Sequence, residues 1–341
     1  MGDVAGIGPE VVARACEDPR VQACCRPIVV GNPEILQRAV RLIGSHAKVR
    51  PFDSLVEVES SRDQLDCWNP GGTASGVDLA SVAAGSLDPR AGRAAYDWLV
   101  AATQAAQGHA FDAIVTAPLN KAALHLAGLD YPGHTEILSA ECGVSCYAMM
   151  LYVPPGEAVR SPHGLGVAHV TLHTSIASVP KLLTIEGVAE KIGLVHDFLA
   201  RIGVDRPRIG VTALNPHAGE ESLFGDEERR IIRPAIDRFA GVGWSVDGPL
   251  PADALLRRAI GGEFDGVVAM YHDQGHIPIK LVARDTAVNI TLGLPIVRTS
   301  PSHGTAFDIA WKGIASPEGM IEAIRMASRL ARTKCEVGTS N

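Results

Sequence analysis

A chain of 341 residues is too long for one ordinary core and implies about two domains. It is 46% hydrophobic and 20% charged, with a net charge of −7 and no basic block, which excludes an electrostatic case for nucleic acid or an anionic membrane as partner. No apolar run reaches the roughly 18–20 residues of a membrane span, the start MGDVAGIGPE is not a signal peptide, and seven scattered cysteines without a CxxC read as reduced thiols of a cytoplasmic protein.

In chain order, GDVAGIGPE comes first. It fails as a dinucleotide fingerprint, because GxGxxG from Gly6 needs glycine where Val11 stands. It fits a turn before a helix whose first turn holds Pro9 and Glu10. Strands are expected at RPIVVG (26–31), DAIVTAP (112–118), GVAHVTL (166–172), RIGVTAL (208–214), GVVAMY (266–271) and NITLGL (289–294). Helices are expected between them, including 91–107 and 186–203, the latter with apolar residues at helical spacing: Val188, Ile192, Val195 and Leu199. DCWNPGGTASG (66–76) reads as a loop, VPPGEAVRSPHGLG (153–166) as a long hairpin-type connection, and the tail TKCEVGTSN as frayed. Apolar strands alternating with helices define an α/β protein with mostly parallel sheets.

Polar clusters recur at the expected strand ends, where parallel α/β proteins collect ligands. TAPLNK follows DAIV, HTS follows HVTL, NPHAGE follows GVTAL, and HDQGH follows VVAMY. His169 lies inside an apolar run and reads as structural, whereas His173 at its end is better placed to reach a ligand. His217, between Pro216 and Gly219, suits a surface histidine and a metal ligand equally. In YPGHTEIL, Thr135 suits a helix N-cap, and the same helix start suits a phosphate. HGTAFDIAWKG reads as a strand-to-helix turn. No HExxH-type spacing occurs, so a triad of His173, His217 and His272 needs a fold that gathers strand ends. Three neutral imidazoles with an open position suit zinc, cobalt or nickel better than calcium.

GDVAGIGPE, TAPLNK, YPGHTE, NPHAGE, GPLPAD, MYHDQG, VNITLGLPIVRTS and HGTAFDIA occur in an order that resembles the 4-hydroxythreonine-4-phosphate dehydrogenase family of vitamin B6 biosynthesis, from Gly2 to about Gly313. The resemblance implies two α/β/α domains with a cleft between them, like the isocitrate and isopropylmalate dehydrogenases. Residues 1–125 plus 300–341 would form the cofactor-side domain, and 126–299 the domain of metal, substrate and dimer interface. It implies a homodimer with a shared active site and a divalent metal (zinc, cobalt, nickel or magnesium) on His173, His217 and His272, one of them from the neighbouring subunit. It further implies substrate contacts from His134, Thr135, Lys280, Asn289 and Arg298, and catalytic roles for Asp253, Asp273 and Lys280. NAD would lie on His303, Gly304, Thr305 and Asp308, the Asp308 carboxylate favouring NAD over NADP by repelling a 2′-phosphate.

The implied activity is metal-dependent oxidation, with decarboxylation, of a phosphorylated four-carbon hydroxy acid: 4-phosphohydroxy-L-threonine, or D-threonate or D-erythronate 4-phosphate. Three departures stand out. The family's strand before GD is absent and Val4 replaces its proline; either the start is misassigned or truncated, or that strand is lost at a cost in stability. Residues 61–76 are longer than is usual. His276 makes DQGHIPIK more similar to the sugar-acid phosphate branch. A terephthalate cis-dihydrodiol dehydrogenase branch shares that motif and is the alternative within the family. A non-catalytic ligand-binding homodimer is the alternative outside it.

Overall fold

The computed structural model describes residues 1–55, 64–70 and 77–338. They divide into two compact units: Met1–Val144 with Leu294–Ala331, and Ser145–Gly293 with Arg332–Asn341.

The first unit begins in a turn, and no strand forms among residues 1–7. The Met1 ammonium donates to the Val30 carbonyl at 2.9 Å and the Asp3 amide to that of Pro118 at 2.9 Å. Helix α1 (Gly8–Glu17) carries Pro9 and Glu10 in its first turn, as expected. Then follow α2 (Pro19–Gln22), β1 (Ile28–Val30) and α3 (Pro33–Leu42), whose start is capped by the Asn32 side chain. Strands β2 (Lys48–Phe52) and β3 (Gln64–Trp68) join β1 in a parallel sheet of order β1-β3-β2.

Residues 66–68 are therefore strand where a loop was expected. Their polarity misleads, because Asp66 is buried in the ladder and neutralised by Arg26 at 3.5 Å and Arg50 at 2.7 Å. Residues 71–76 lie outside the described residues. Helix α4 (Pro89–Gln107), capped by Asp88, precedes β4 (Ala113–Val115), α5 (Lys121–Leu126) and α6 (His134–Cys142).

The second unit holds β5 (Ala148–Val153) and β6 (Leu165–His169), antiparallel partners across the expected hairpin connection. It continues through α7 (Val179–Leu182), α8 (Ile185–Arg201), β7 (Arg208–Thr212), α9 (Arg233–Asp237) and β8 (Ser245–Leu250). Then come α10 (Ala252–Ile260), β9 (Gly266–Ala269), α11 (His272–Ala283) and β10 (Val288–Leu292). Strand order is β10-β5-β6-β9-β7-β8. The run β6-β9-β7-β8 is parallel, while β10-β5-β6 is antiparallel. Strands β5, β6 and β9 are buried at every position, which explains why they read as unbroken apolar runs. Leu165, Val167, Val267, Leu255 and Ile279 share one core. Each such side chain contributes about 1.5–3 kcal/mol by leaving water.

The chain returns to the first unit as β11 (Val297–Pro301), parallel to β4, and ends in α12 (Glu318–Gly338). No helix follows 303–312 directly, so the expected strand-to-helix turn there is a strand-to-loop turn. The tail expected to fray is helical through Gly338. The boundaries also differ from those expected at 125 and 299. Ile137 and Leu138 of α6 share a core with Leu99 and Ala102 of α4, and β11 pairs with β4, so His134, Thr135 and Arg298 belong to the first unit. No helix among the described residues is long and apolar enough to cross a membrane.

Candidate functional site

In the second unit, β6 and β9 lie side by side in parallel, with His169 in register with Ala269. The segments that follow them therefore emerge at the same carboxyl end. His173 sits four residues past the end of β6. Past β9 the chain stays extended at Tyr271 and turns into α11 at His272. The stretch read as a strand end with polar residues is thus the first turns of a helix. Pro278 inside it hides the helical pattern. Gln274 clips this start in place: its Oε1 accepts from the Met270 amide at 2.7 Å and the Thr212 hydroxyl at 2.6 Å, and its Nε2 donates to the Ala213 carbonyl at 2.7 Å.

The His173 and His272 rings stand 5.8 Å apart. They face a cleft of about 370 Å³ that Ser175, Ile176, Tyr271 and Asp273 also line. The Asp273 carboxylate accepts from His272 Nδ1 at 2.7 Å. That fixes the tautomer and leaves Nε2 with its lone pair, the form a metal ligand requires.

Two further histidines support this ring from below. His169 Nδ1 faces the Met149 carbonyl at 3.3 Å, which can only accept, so Nδ1 carries the proton. His169 Nε2 is then an acceptor, and His276 Nδ1 donates to it at 3.1 Å. The His276 ring stacks on His272 with centroids 3.8 Å apart and planes 12° from parallel. Burial disfavours the charged form of both: it lowers His169 to about 4, and His276, with the neighbouring His169, His272 and Lys280 adding repulsion, to about 2. Gly275 makes the pair possible, since a Cβ there would lie 2.5 Å from His169 Nε2.

The other residues expected here are placed differently. His217 is exposed in a 3-10 turn, Pro216–Gly219, after β7. Asp253 is exposed in the first turn of α10, and Lys280 is exposed on α11. Asn289 lies on β10, its buried Oδ1 without a hydrogen-bond partner among the described residues. No group of three His, Cys, Asp or Glu side chains among the described residues stands ready to hold a metal. One chain thus brings His173 and His272 together and leaves His217 apart.

The first unit carries a cationic cluster. Arg298 on β11 is only 2% exposed and donates from Nη2 to Thr116 Oγ1 at 2.7 Å. Burial lowers it to about 10, which leaves it charged at neutral pH, with Glu136 nearby supporting the charge. Burial and then the Arg298 charge hold His134 well below its usual value, so it is neutral. Gly133, not Thr135, is the N-cap of α6. It offers no side chain, so the first-turn amides have no side-chain cap. Thr135 is buried within that turn. Uncapped amides beside a buried guanidinium are chemically suited to an anion.

The loop after β11 holds His303, Gly304, Thr305 and Asp308. Its Thr305 carbonyl accepts the Ile7 amide at 3.0 Å. Gly6 is required there, since a Cβ would lie 2.9 Å from Thr305. Asp308 and Gly304 are exposed, and nothing crowds Gly304.

Sequence reasoning missed Thr116, Gln274 and the His169–His276 pairing. Thr116 and Gln274 sit inside polar strand-end clusters already noticed, so position relative to strand ends was the usable signal. The histidine pairing is 107 residues apart and had none.

The likenesses to known proteins fit this geometry. The family model described as pyridoxal phosphate biosynthetic protein PdxA matches residues 23–327. D-threonate 4-phosphate dehydrogenase of Cupriavidus necator is 44% identical, with 97% of this chain and 96% of the relative covered. 4-Hydroxythreonine-4-phosphate dehydrogenase of Geobacter metallireducens is also 44% identical, over 98% of this chain and 95% of the relative. The crystal structure of 4-hydroxythreonine-4-phosphate dehydrogenase from Klebsiella pneumoniae superposes with a TM-score of 0.83 at 41% identity, covering 97% of this chain and 96% of that one. The chain belongs to the PdxA family.

Proposed function

We propose that the protein is an NAD- and divalent-metal-dependent dehydrogenase that oxidises a secondary hydroxyl of a phosphorylated four-carbon hydroxy acid, with decarboxylation. D-threonate 4-phosphate, D-erythronate 4-phosphate and 4-phosphohydroxy-L-threonine are the candidate substrates. The observation that carries this reading is the convergence of His173, His272 and Asp273 on one cleft at the carboxyl ends of β6 and β9.

The donor set fits a divalent metal. His272 presents a fixed Nε2 lone pair, and the buried neutral pair beneath it prevents a competing positive charge. His173 and His272 hold the ion from one chain. His217, exposed and apart, supplies the third imidazole from a second copy of the chain. Support for that homodimer comes from α11, where Leu281 is 80% and Ile277 55% exposed one helical turn apart. A divalent cation held there would lower the pKa of the substrate hydroxyl and offset the negative charge that decarboxylation leaves.

The chain's own groups do the rest. Asp273 orients His272, and Asp273 or Asp253 accepts the hydroxyl proton. Arg298, His134, Thr135 and the uncapped start of α6 bind phosphate or carboxylate, and the guanidinium suits a bidentate contact. Lys280 adds a second cation, and the orphaned Oδ1 of Asn289 accepts from a substrate hydroxyl. NAD, the hydride acceptor, is held by His303, Gly304, Thr305 and Asp308, whose exposed carboxylate suits ribose hydroxyls. Six cysteines form no disulfide among the described residues, which is compatible with a cytoplasmic enzyme.

The test is NADH formation from the three phosphorylated acids and from a terephthalate cis-dihydrodiol, with and without a chelator. Turnover of one or more of the phosphorylated acids, abolished by chelation, is expected. NADH from the dihydrodiol alone moves the protein to the other branch, and none from any compound overturns the reading.

A further inference from the structure

The stretch around His217 is strained. His217 (φ 53°), Ala218 (φ 57°), Glu220 (φ 42°), Glu221 (φ 56°) and Ser222 (φ 74°) all lie in the left-handed region, where residues with a Cβ rarely rest. Such a run persists only when its surroundings impose it. His217 and Pro216 are exposed, so packing of their own side chains does not.

What imposes it is a carboxylate. Glu228 opens a short π-helical turn, Glu228–Ile232, a rare element that is frequent at functional sites. Its side chain is buried. Oε1 accepts from the Leu214 amide at 2.9 Å and the Asn215 amide at 2.7 Å, and Oε2 accepts from Asn215 Nδ2 at 3.0 Å. On the other side of His217, a Cβ at Gly219 would stand 2.8 Å from Oε2. The carboxylate thus holds the backbone ahead of His217 by hydrogen bonds and packs closely against Gly219 behind it. Hydrogen bonds to a buried charged acceptor are the strong ones, which suits an anchor for an otherwise exposed loop.

We infer that Glu228 is the positioning residue that sets His217 for metal binding. It touches neither metal nor substrate and acts through the backbone of 214–219. The inference rests on the reading of His217 as a ligand.

The experiment measures zinc affinity of the full-length chain by equilibrium dialysis, alongside thermal stability and amide exchange at Leu214 and Asn215. The variants are Glu228→Gln, His217→Ala and Ile192→Val, the last a mild core change in the same unit that serves as the stability control. Glu228→Gln removes the charge and puts an NH2 group where Oε2 accepted from the Asn215 side-chain Nδ2. It is expected to weaken zinc binding about tenfold or more and to speed exchange at both amides. Ile192→Val is expected to lower stability without moving zinc affinity. Gly219→Ala, which pushes on the carboxylate from the far side, should reproduce the loss of affinity and replaces Glu228→Gln if that variant does not fold.

Weak binding by His217→Ala with wild-type affinity in Glu228→Gln and Gly219→Ala overturns the inference and leaves the ligand reading intact. A loss in Glu228→Gln no greater than that of Ile192→Val at matched stability also overturns it, by making Glu228 merely structural. Unchanged affinity in His217→Ala overturns the ligand reading itself.

Discussion

Arg298 in the first unit and the His169–His276 pair in the second are buried to a similar degree, at 2%, 1% and 7% exposure, yet they end in opposite charge states. The same desolvation pushes each toward its neutral form. A guanidinium starts so high that a fall to about 10 leaves it cationic at neutral pH. An imidazole starts near 6.5, so falls to about 4 and about 2 leave it neutral. Burial therefore leaves Arg298 cationic and the histidine pair neutral, as the proposed anion and metal roles require. The residue type placed in each buried position decides the outcome.

Breaking the second cluster has the largest expected effect. His272→Ala removes a proposed ligand from the lining of the cleft, and we expect activity to fall to background and bound metal to be lost with little change in thermal stability. Metal analysis of the purified variant checks this. Retained metal and activity would remove His272 from the site.

Breaking the first cluster comes next. Arg298→Met should weaken transition-state binding of the phosphorylated acid by about 2–5 kcal/mol, seen in kcat/KM, while leaving metal content unchanged. Arg298→Lys should recover only part, because an ammonium cannot repeat the bidentate geometry. Equal kcat/KM in the wild type and Arg298→Met would count against the anion assignment.

A stability change sharpens the comparison. Gly275→Ala drives a methyl group to within 2.5 Å of His169 Nε2 and 2.8 Å of Val167 Cγ1. The cost should be about 1–3 kcal/mol by denaturant titration. An unaffected midpoint would mean that the histidine pair is looser than described.

The last effect is one of pH. Unfolded histidine protonates near 6.5, whereas the folded pair resists until about 4 or below. As pH falls below about 6.5 the unfolded chain takes up protons that the folded chain refuses, so stability declines through both rings down to about pH 4 and through His276 alone down to about pH 2. Above about 6.5 the pair adds no slope. Replacing both, as H169L/H276L, should flatten that decline. H276L alone should cost about 1–3 kcal/mol at neutral pH by orphaning His169 Nε2, more than the double variant does. Parallel stability curves for wild type and double variant between pH 7 and about 4 would show that the pair does not set the slope.

Much of this was legible in the sequence. Strands β1, β4, β6, β7, β9 and β10 and helices α4 and α8 stand where apolar runs and helical spacing put them. Polar clusters marked the strand ends that hold His173 and His272. What was lost was lost for local reasons. Gln64–Trp68 hides as a strand because Asp66 is a buried charge answered from two other segments. The start of α11 hides because His272, Gly275 and Pro278 are poor helix residues, and Gln274, whose side chain bonds the Met270 amide, the Ala213 carbonyl and the Thr212 hydroxyl, holds the turn instead. The tautomers of His169 and His276 depend on a carbonyl 20 residues from His169, which no spacing rule reaches.

The most direct measurement is the rate of NADH formation from a phosphorylated four-carbon hydroxy acid by the intact protein, by the protein stripped with a chelator, and by the stripped protein given back zinc or cobalt. Activity, loss and recovery are expected in that order, with recovery absent in His272→Ala. Full activity in stripped protein verified to be metal-free would contradict metal dependence.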